Sequence, residues 1–178
     1  MKNAKMLMIA LAAVLALSLV GCSSAPAASA SPEVSTSAEA TPVPTPEITM
    51  TAQEIADDLM NIDDLFSSMD HSEQDLFAEM CGLDLSLLED YSLNDAMMNV
   101  KSHTLYIAKV KDAADMDAVK TAFQTRKEQM EQSFERYLED QYEIAKAGQI
   151  VTSGNWVMLV ICEDSPKVVY RFNELMGA

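Results

Sequence analysis

Three thiols, two imidazoles and 28 carboxylates are the groups in this sequence whose types suit chemistry. Their spacing decides what they can do. A thiol nucleophile needs a nearby base, and a zinc site needs Cys or His at short regular intervals. His71 and His103 stand 32 residues apart in polar stretches, with no Cys, His or Glu at ligand spacing, and both read as surface histidines. Cys162 falls in an apolar run and Cys81 at the end of a helical pattern, which reads as two buried thiols rather than a disulfide. The acids cluster at Asp57-Asp58, Asp63-Asp64, Asp112 with Asp115 and Asp117, and Glu163-Asp164. A calcium loop beginning at Asp112 needs oxygen ligands where this chain has Ala114, Met116 and Phe123. Helix N-termini and solvated faces explain these acids better. No G-x-S-x-G elbow occurs, and Met116, Met130 and Met176 fit core stripes rather than a soft-metal site. The expectation is a non-enzymatic protein with no metal and no bound cofactor. An envelope hydrolase using carboxylates dispersed along the chain is the alternative, because paired acids need not be neighbours in sequence.

Cys22 has a different setting. Met1 to Lys5 are positively charged, and Met6 to Val20 form an apolar run of 15 residues broken only by Ser18. That run is shorter than the roughly 20 residues a spanning helix needs, and its flanks match a secretory signal. The following Leu19-Val20-Gly21-Cys22 resembles the bacterial lipobox. The resemblance implies cleavage after Gly21 and a covalent diacylglycerol on the Cys22 thiol. Two acyl chains, at about 0.8 kcal/mol per buried methylene, give durable anchoring. The expected location is the extracytoplasmic face of the cell membrane.

Composition then sets the organisation. Residues 22–50 hold the lipidated cysteine and a Ser/Ala/Thr/Pro stretch with five of the six prolines, too poor in apolar residues to fold. Such a tether averages about 30 Å end to end. Residues 51–178 form the folded domain. The full chain has a formal net charge of −16, and loss of residues 1–21 removes Lys2 and Lys5, leaving −18. That charge repels phosphate backbones, so nucleic acid is excluded as a partner.

Within the domain, Thr51-Ala52-Gln53-Glu54 is a capping box, and Ile55, Leu59, Ile62 and Phe66 extend a helical stripe. Ser72 and Asp75 open a second helix that Gly82 ends. Leu88 to Leu93 and Leu105 to Val110 read as strands. From Met116 to Ala147, Met116, Phe123, Met130, Tyr137 and Ile144 recur every seven residues, with a bend expected near Glu139-Asp140 and Gly148 closing the helix. Gln149 to Thr152 and Trp156 to Cys162 form a hairpin around Ser153-Gly154-Asn155. Its second arm is apolar on both faces, so it needs cover on both sides, from helices or from a second copy in a homo-oligomer. Ser165-Pro166 starts the last helix. The expected fold class is α+β, a small, mostly antiparallel sheet of three or four strands in the order ααββαββα.

Met97-Met98-Asn99-Val100, the run Phe134 to Glu143, and Gly154 to Ile161 together resemble domain-of-unknown-function family 4358, over about residues 53–176. The resemblance implies an exported α+β lipoprotein of the kind found mostly in Gram-positive anaerobes related to the clostridia. It carries no catalytic residues to transfer. Gln141, Tyr142 and Glu143 form a polar–aromatic group beside the expected bend, which suits either an interaction surface or a brace for the bend. The partner classes this reading implies are the membrane, through the lipid, and an envelope protein or wall component.

Overall fold

The computed structural model describes residues 48–178. The expected signal segment, Cys22 and the Ser/Ala/Thr/Pro stretch up to residue 47 lie outside them. Ile48 and Met50 already pack against the core. The elements are α1 (Ala52–Met60), β1 (Met69–Asp70), α2 (Gln74–Cys81), β2 (Leu88–Ala96), β3 (Thr104–Val110), α3 (Met116–Phe134), α4 (Glu139–Ala147), β4 (Gln149–Ser153), β5 (Trp156–Ile161) and α5 (Ser165–Leu175).

The capping box forms as the residue types require. The Thr51 hydroxyl accepts from the Glu54 amide, and the Glu54 carboxylate accepts from the Thr51 amide at 2.8 Å. Helix α1 stops at Met60, short of Phe66. Asp63, Asp64 and Ser68 turn left-handed beyond it, with φ of 45°, 57° and 57°. Ile62, Leu65 and Phe66 still pack on the same core, so their spacing reflects burial by an irregular segment.

All strand pairs are antiparallel, in the order β1-β2-β3-β5-β4. Strands β3 and β5 are therefore interior, and their side chains alternate between two cores. Leu105, Ile107, Trp156, Met158 and Val160 face α1 and α5 through Ile55, Leu59, Val168 and Phe172. Tyr106, Ala108, Val110, Val157, Leu159 and Ile161 face α2, α3 and α4 through Ala78, Val119, Phe123, Met130 and Ala145. The chain's own helices thus cover both faces of β5. Tyr106 and Phe123 meet edge to face at 5.6 Å between ring centroids, a geometry that adds about 0.5–1.5 kcal/mol to their burial.

The expected three or four strands in the order ααββαββα are corrected to five strands and five helices among the described residues, in the order αβαββααββα. The extra strand β1 is two residues long, paired with Asp95 and Ala96, and too short and polar to show alternation. The extra helix arises because the long helical run breaks at residues 135–138, just before the expected bend. Unbroken, its 32 residues would extend about 48 Å, whereas the nine-residue strand β2 spans about 30 Å. Leu138 takes an extended conformation at the break, and Tyr137 leaves the buried stripe for solvent.

Cys81 and Cys162 are both free and buried, in opposite cores. Gly148 joins α4 to β4 with φ −56°, so backbone freedom is not what it supplies. A Cβ there would lie 2.7 Å from Ile161 Cγ1 and 3.1 Å from the Val160 carbonyl oxygen. Gly148→Ala should therefore lower stability by about 1–3 kcal/mol through overpacking, read as a reduced midpoint in urea unfolding.

Candidate functional site

The polar chemistry gathers at one end of the sheet, where residues 97–103 join β2 to β3. Asp95 stands opposite Thr104 in the strand register. The Thr104 hydroxyl donates to Asp95 Oδ1 at 2.7 Å, and the Tyr106 hydroxyl donates to Asp95 Oδ2 at 2.6 Å. From α3, Arg126 Nη2 reaches the same carboxylate at 2.9 Å, with the two side chains only 8% and 5% exposed. Burying both charges costs several kcal/mol, and the ion pair with its two hydroxyl donors offsets that cost. Burial and the Asp95 charge push the Tyr106 phenol well above its ordinary value, so it remains a neutral donor. Every oxygen of Asp95 is engaged, which makes this cluster a clamp between β2, β3 and α3.

A second cluster lies on the other face. His103 is 2% exposed, which corrects its expected surface position. The alternation that sends Thr104 and Tyr106 to the α3 side turns His103 toward α1 and α5. Its Nε2 lies 2.9 and 3.0 Å from the two carboxylate oxygens of Glu163, and its ring meets Phe66 edge-on at 6.2 Å. Lys101 Nζ adds a contact to Glu163 at 3.4 Å. Burial works to raise the Glu163 carboxyl, but its own backbone amide, His103 and Lys101 outweigh burial and hold it below its ordinary value.

Gln141, Tyr142 and Glu143 point to three different places. Gln141 Oε1 accepts from the Ser102 amide at 2.9 Å and from the Ser102 hydroxyl at 3.2 Å. Tyr142 is half-buried against the core, with Lys146 Nζ 4.9 Å from its ring centroid. Glu143 pairs with Lys146 at 2.9 Å. Gln141 alone of the three faces the 97–103 segment. That segment is also tied through the Met97 amide to the Ser68 carbonyl at 2.9 Å.

So held, the segment presents Met97 at 69%, Met98 at 45% and Val100 at 40% exposure, and Tyr137 stands 66% exposed at the helix break. Val100, Tyr137, Leu138, Glu139, Asp140 and Gln141 line a surface hollow of about 420 Å³. A smaller hollow of about 200 Å³ is lined by Tyr142, the α3 residues Glu128, Glu131 and Gln132, and Glu135 at the start of the break. No group of three or more metal-ligating side chains occurs among the described residues. Glu54, Asp58, Asp70, Asp84 and Glu163 are all displaced downward, each held as a carboxylate by its hydrogen-bond or charge partners.

Sequence reasoning missed Asp95 and Arg126, and read His103 and Glu163 as surface groups. Arg126 did carry a signal: it falls three residues after Phe123 and four before Met130, on the buried stripe of α3.

Removing one partner of the clamp should expose its energetics. Arg126→Met leaves Asp95 buried against hydroxyls alone and should cost about 3–5 kcal/mol in urea unfolding. Adding Asp95→Asn should recover part of that loss. Glu163 titrates lower in the folded state, so its contribution is complete above the ordinary glutamate value of about 4.3 and is lost as pH falls through the folded value. Glu163→Gln should flatten the acid limb of stability against pH and speed amide exchange at Ser102 and His103. Asp58, held down by Arg171, leaves a residual slope of the same sign.

The family described as Domain of unknown function (DUF4358) matches residues 61–162, more than half of the chain. No curated protein and no solved structure matches it. The matched span opens after α1 and closes after β5, so it contains all five strands, the Asp95–Arg126 clamp, the 97–103 segment and the helix break. On that match the chain belongs to the DUF4358 family.

Proposed function

We propose that this domain is a non-enzymatic interaction module, held at the outer face of a bacterial membrane by a diacylglyceryl group on Cys22. Its contact surface is the corner made by residues 97–103 and the α3–α4 break. The observation that carries this reading is a braced segment holding large apolar side chains in water. Met97, Met98 and Val100 are exposed on a loop tied down by Gln141, Glu163 and the Ser68 carbonyl, and Val100 shares a hollow with the exposed Tyr137. Contiguous exposed apolar groups rimmed by polar ones mark interaction surfaces, and fixing them beforehand lowers the entropy lost on binding. The anchor rests on the Leu19-Val20-Gly21-Cys22 pattern following an apolar run. The partner class is an envelope protein or a wall component.

The test places a photoreactive phenylalanine analogue at Tyr137 in living cells, with the exposed Tyr170 on α5 as the control position. The expected result is a discrete adduct from position 137, none from 170, and loss of both adduct and membrane association in a Cys22→Ser chain. Equal adducts from both positions, or none from either, would rule out the corner as the contact surface.

A further inference from the structure

The hollow's lining specifies a partner chemistry, on the reading just given. We infer that it receives an extended protein segment in which basic residues flank an apolar side chain. Its lining combines apolar Val100, Tyr137 and Leu138 with acidic Glu139 and Asp140. Neither acid makes an ion pair within the described residues. Arg136, the basic residue of the break, does not line the hollow.

Gln141 adds a third element. Its carbonyl oxygen is taken by Ser102, and its amide donors have no partner among the described residues. Such donors suit the main-chain carbonyl of a bound segment. A volume of about 420 Å³ admits one or two side chains rather than an element of a folded domain.

The charge of the whole chain selects among occupants. At −16 for all 178 residues, and −18 without residues 1–21, a second copy of the chain, an anionic lipid surface and an anionic glycan polymer are all repelled. A cationic segment is attracted, and the apolar lining then distinguishes it from a merely basic one.

The experiment uses the full lipidated chain in phosphatidylcholine nanodiscs, with empty discs as the blank. The probes are fluorescent ten-residue peptides in a Gly/Ser frame, with two lysines on each side of a central leucine. Two companions replace the leucine by serine or the lysines by glutamates. The leucine–lysine peptide should bind about tenfold more tightly than the serine version, and the glutamate version should not bind. Glu139→Gln with Asp140→Asn should weaken the leucine–lysine peptide about tenfold and reduce its salt dependence. Val100→Ser should erase the preference for leucine. All three positions are exposed, and unchanged thermal unfolding checks that these variants keep the fold.

Indifference to the central leucine, or to the Glu139/Asp140 double variant, would reduce the effect to diffuse charge attraction and overturn the inference. Self-association abolished by Tyr137→Ser, with no peptide bound, would make a second copy the occupant and overturn it too. If position 137 still yields its adduct while the peptides fail, the partner chemistry falls and the interaction surface stands. Failure of both removes both.

Discussion

A strand with no polar face must be covered on both sides, and the fold follows from meeting that demand at β3 and β5. Their side chains alternate between two cores that share nothing but the sheet. One layer comes from the two ends of the domain, where α1 and α5 meet over Leu105 and Met158. The other comes from the middle, where α2, α3 and α4 close over Tyr106 and Leu159. Since β3 and β5 are adjacent but separated in sequence by α3, α4 and β4, the crossover must supply part of the cover. The burial behind this arrangement is the principal stabilising force of the domain.

Where the sheet ends, the apolar solution gives way to charge. Asp95 and Arg126 are buried together at the mouth of the 97–103 segment, on one face, while His103 and Glu163 hold the segment on the other. Buried ionic groups contribute little net stability but are unforgiving of misplacement. Their arrangement fixes how the segment leaves the sheet. The exposed Met97, Met98 and Val100 are therefore presented by a frame rather than by a loose turn. The clamp and the contact surface are thus two aspects of one corner.

Much of this was legible in the residues, and the misses have physical causes. The Thr51–Glu54 capping box and the doubly apolar Trp156–Ile161 declare themselves through local chemistry and periodicity. Strand β1 does not, because Met69-Asp70 gains its identity only from pairing with β2. The seven-residue spacing runs through the helix break and overstates it: Phe123 and Met130 are core, while Tyr137 points into water. His103 looks like a loop residue because its neighbours Lys101 and Ser102 are polar, yet strand alternation turns it inward toward a carboxylate 60 residues later. Of the sequence-marked trio, Gln141 reaches the corner because it faces Ser102, whereas helical geometry turns Tyr142 to the core and Glu143 to Lys146. Long-range ion pairs such as Asp95–Arg126 leave almost no trace in a single sequence.

The separation of Cys81 from Cys162 by the full thickness of the sheet has its own consequence. Burial raises both thiols, Cys162 to about 11, so neither is a ready thiolate while covered. Each becomes alkylatable when its own layer lifts, Cys81 with α2 and α3, Cys162 with α1 and α5. With Cys22 replaced by serine, the polypeptide therefore carries two internal clocks, one per layer. A maleimide consumed at two different rates would time the breathing of the two sides of the sheet separately.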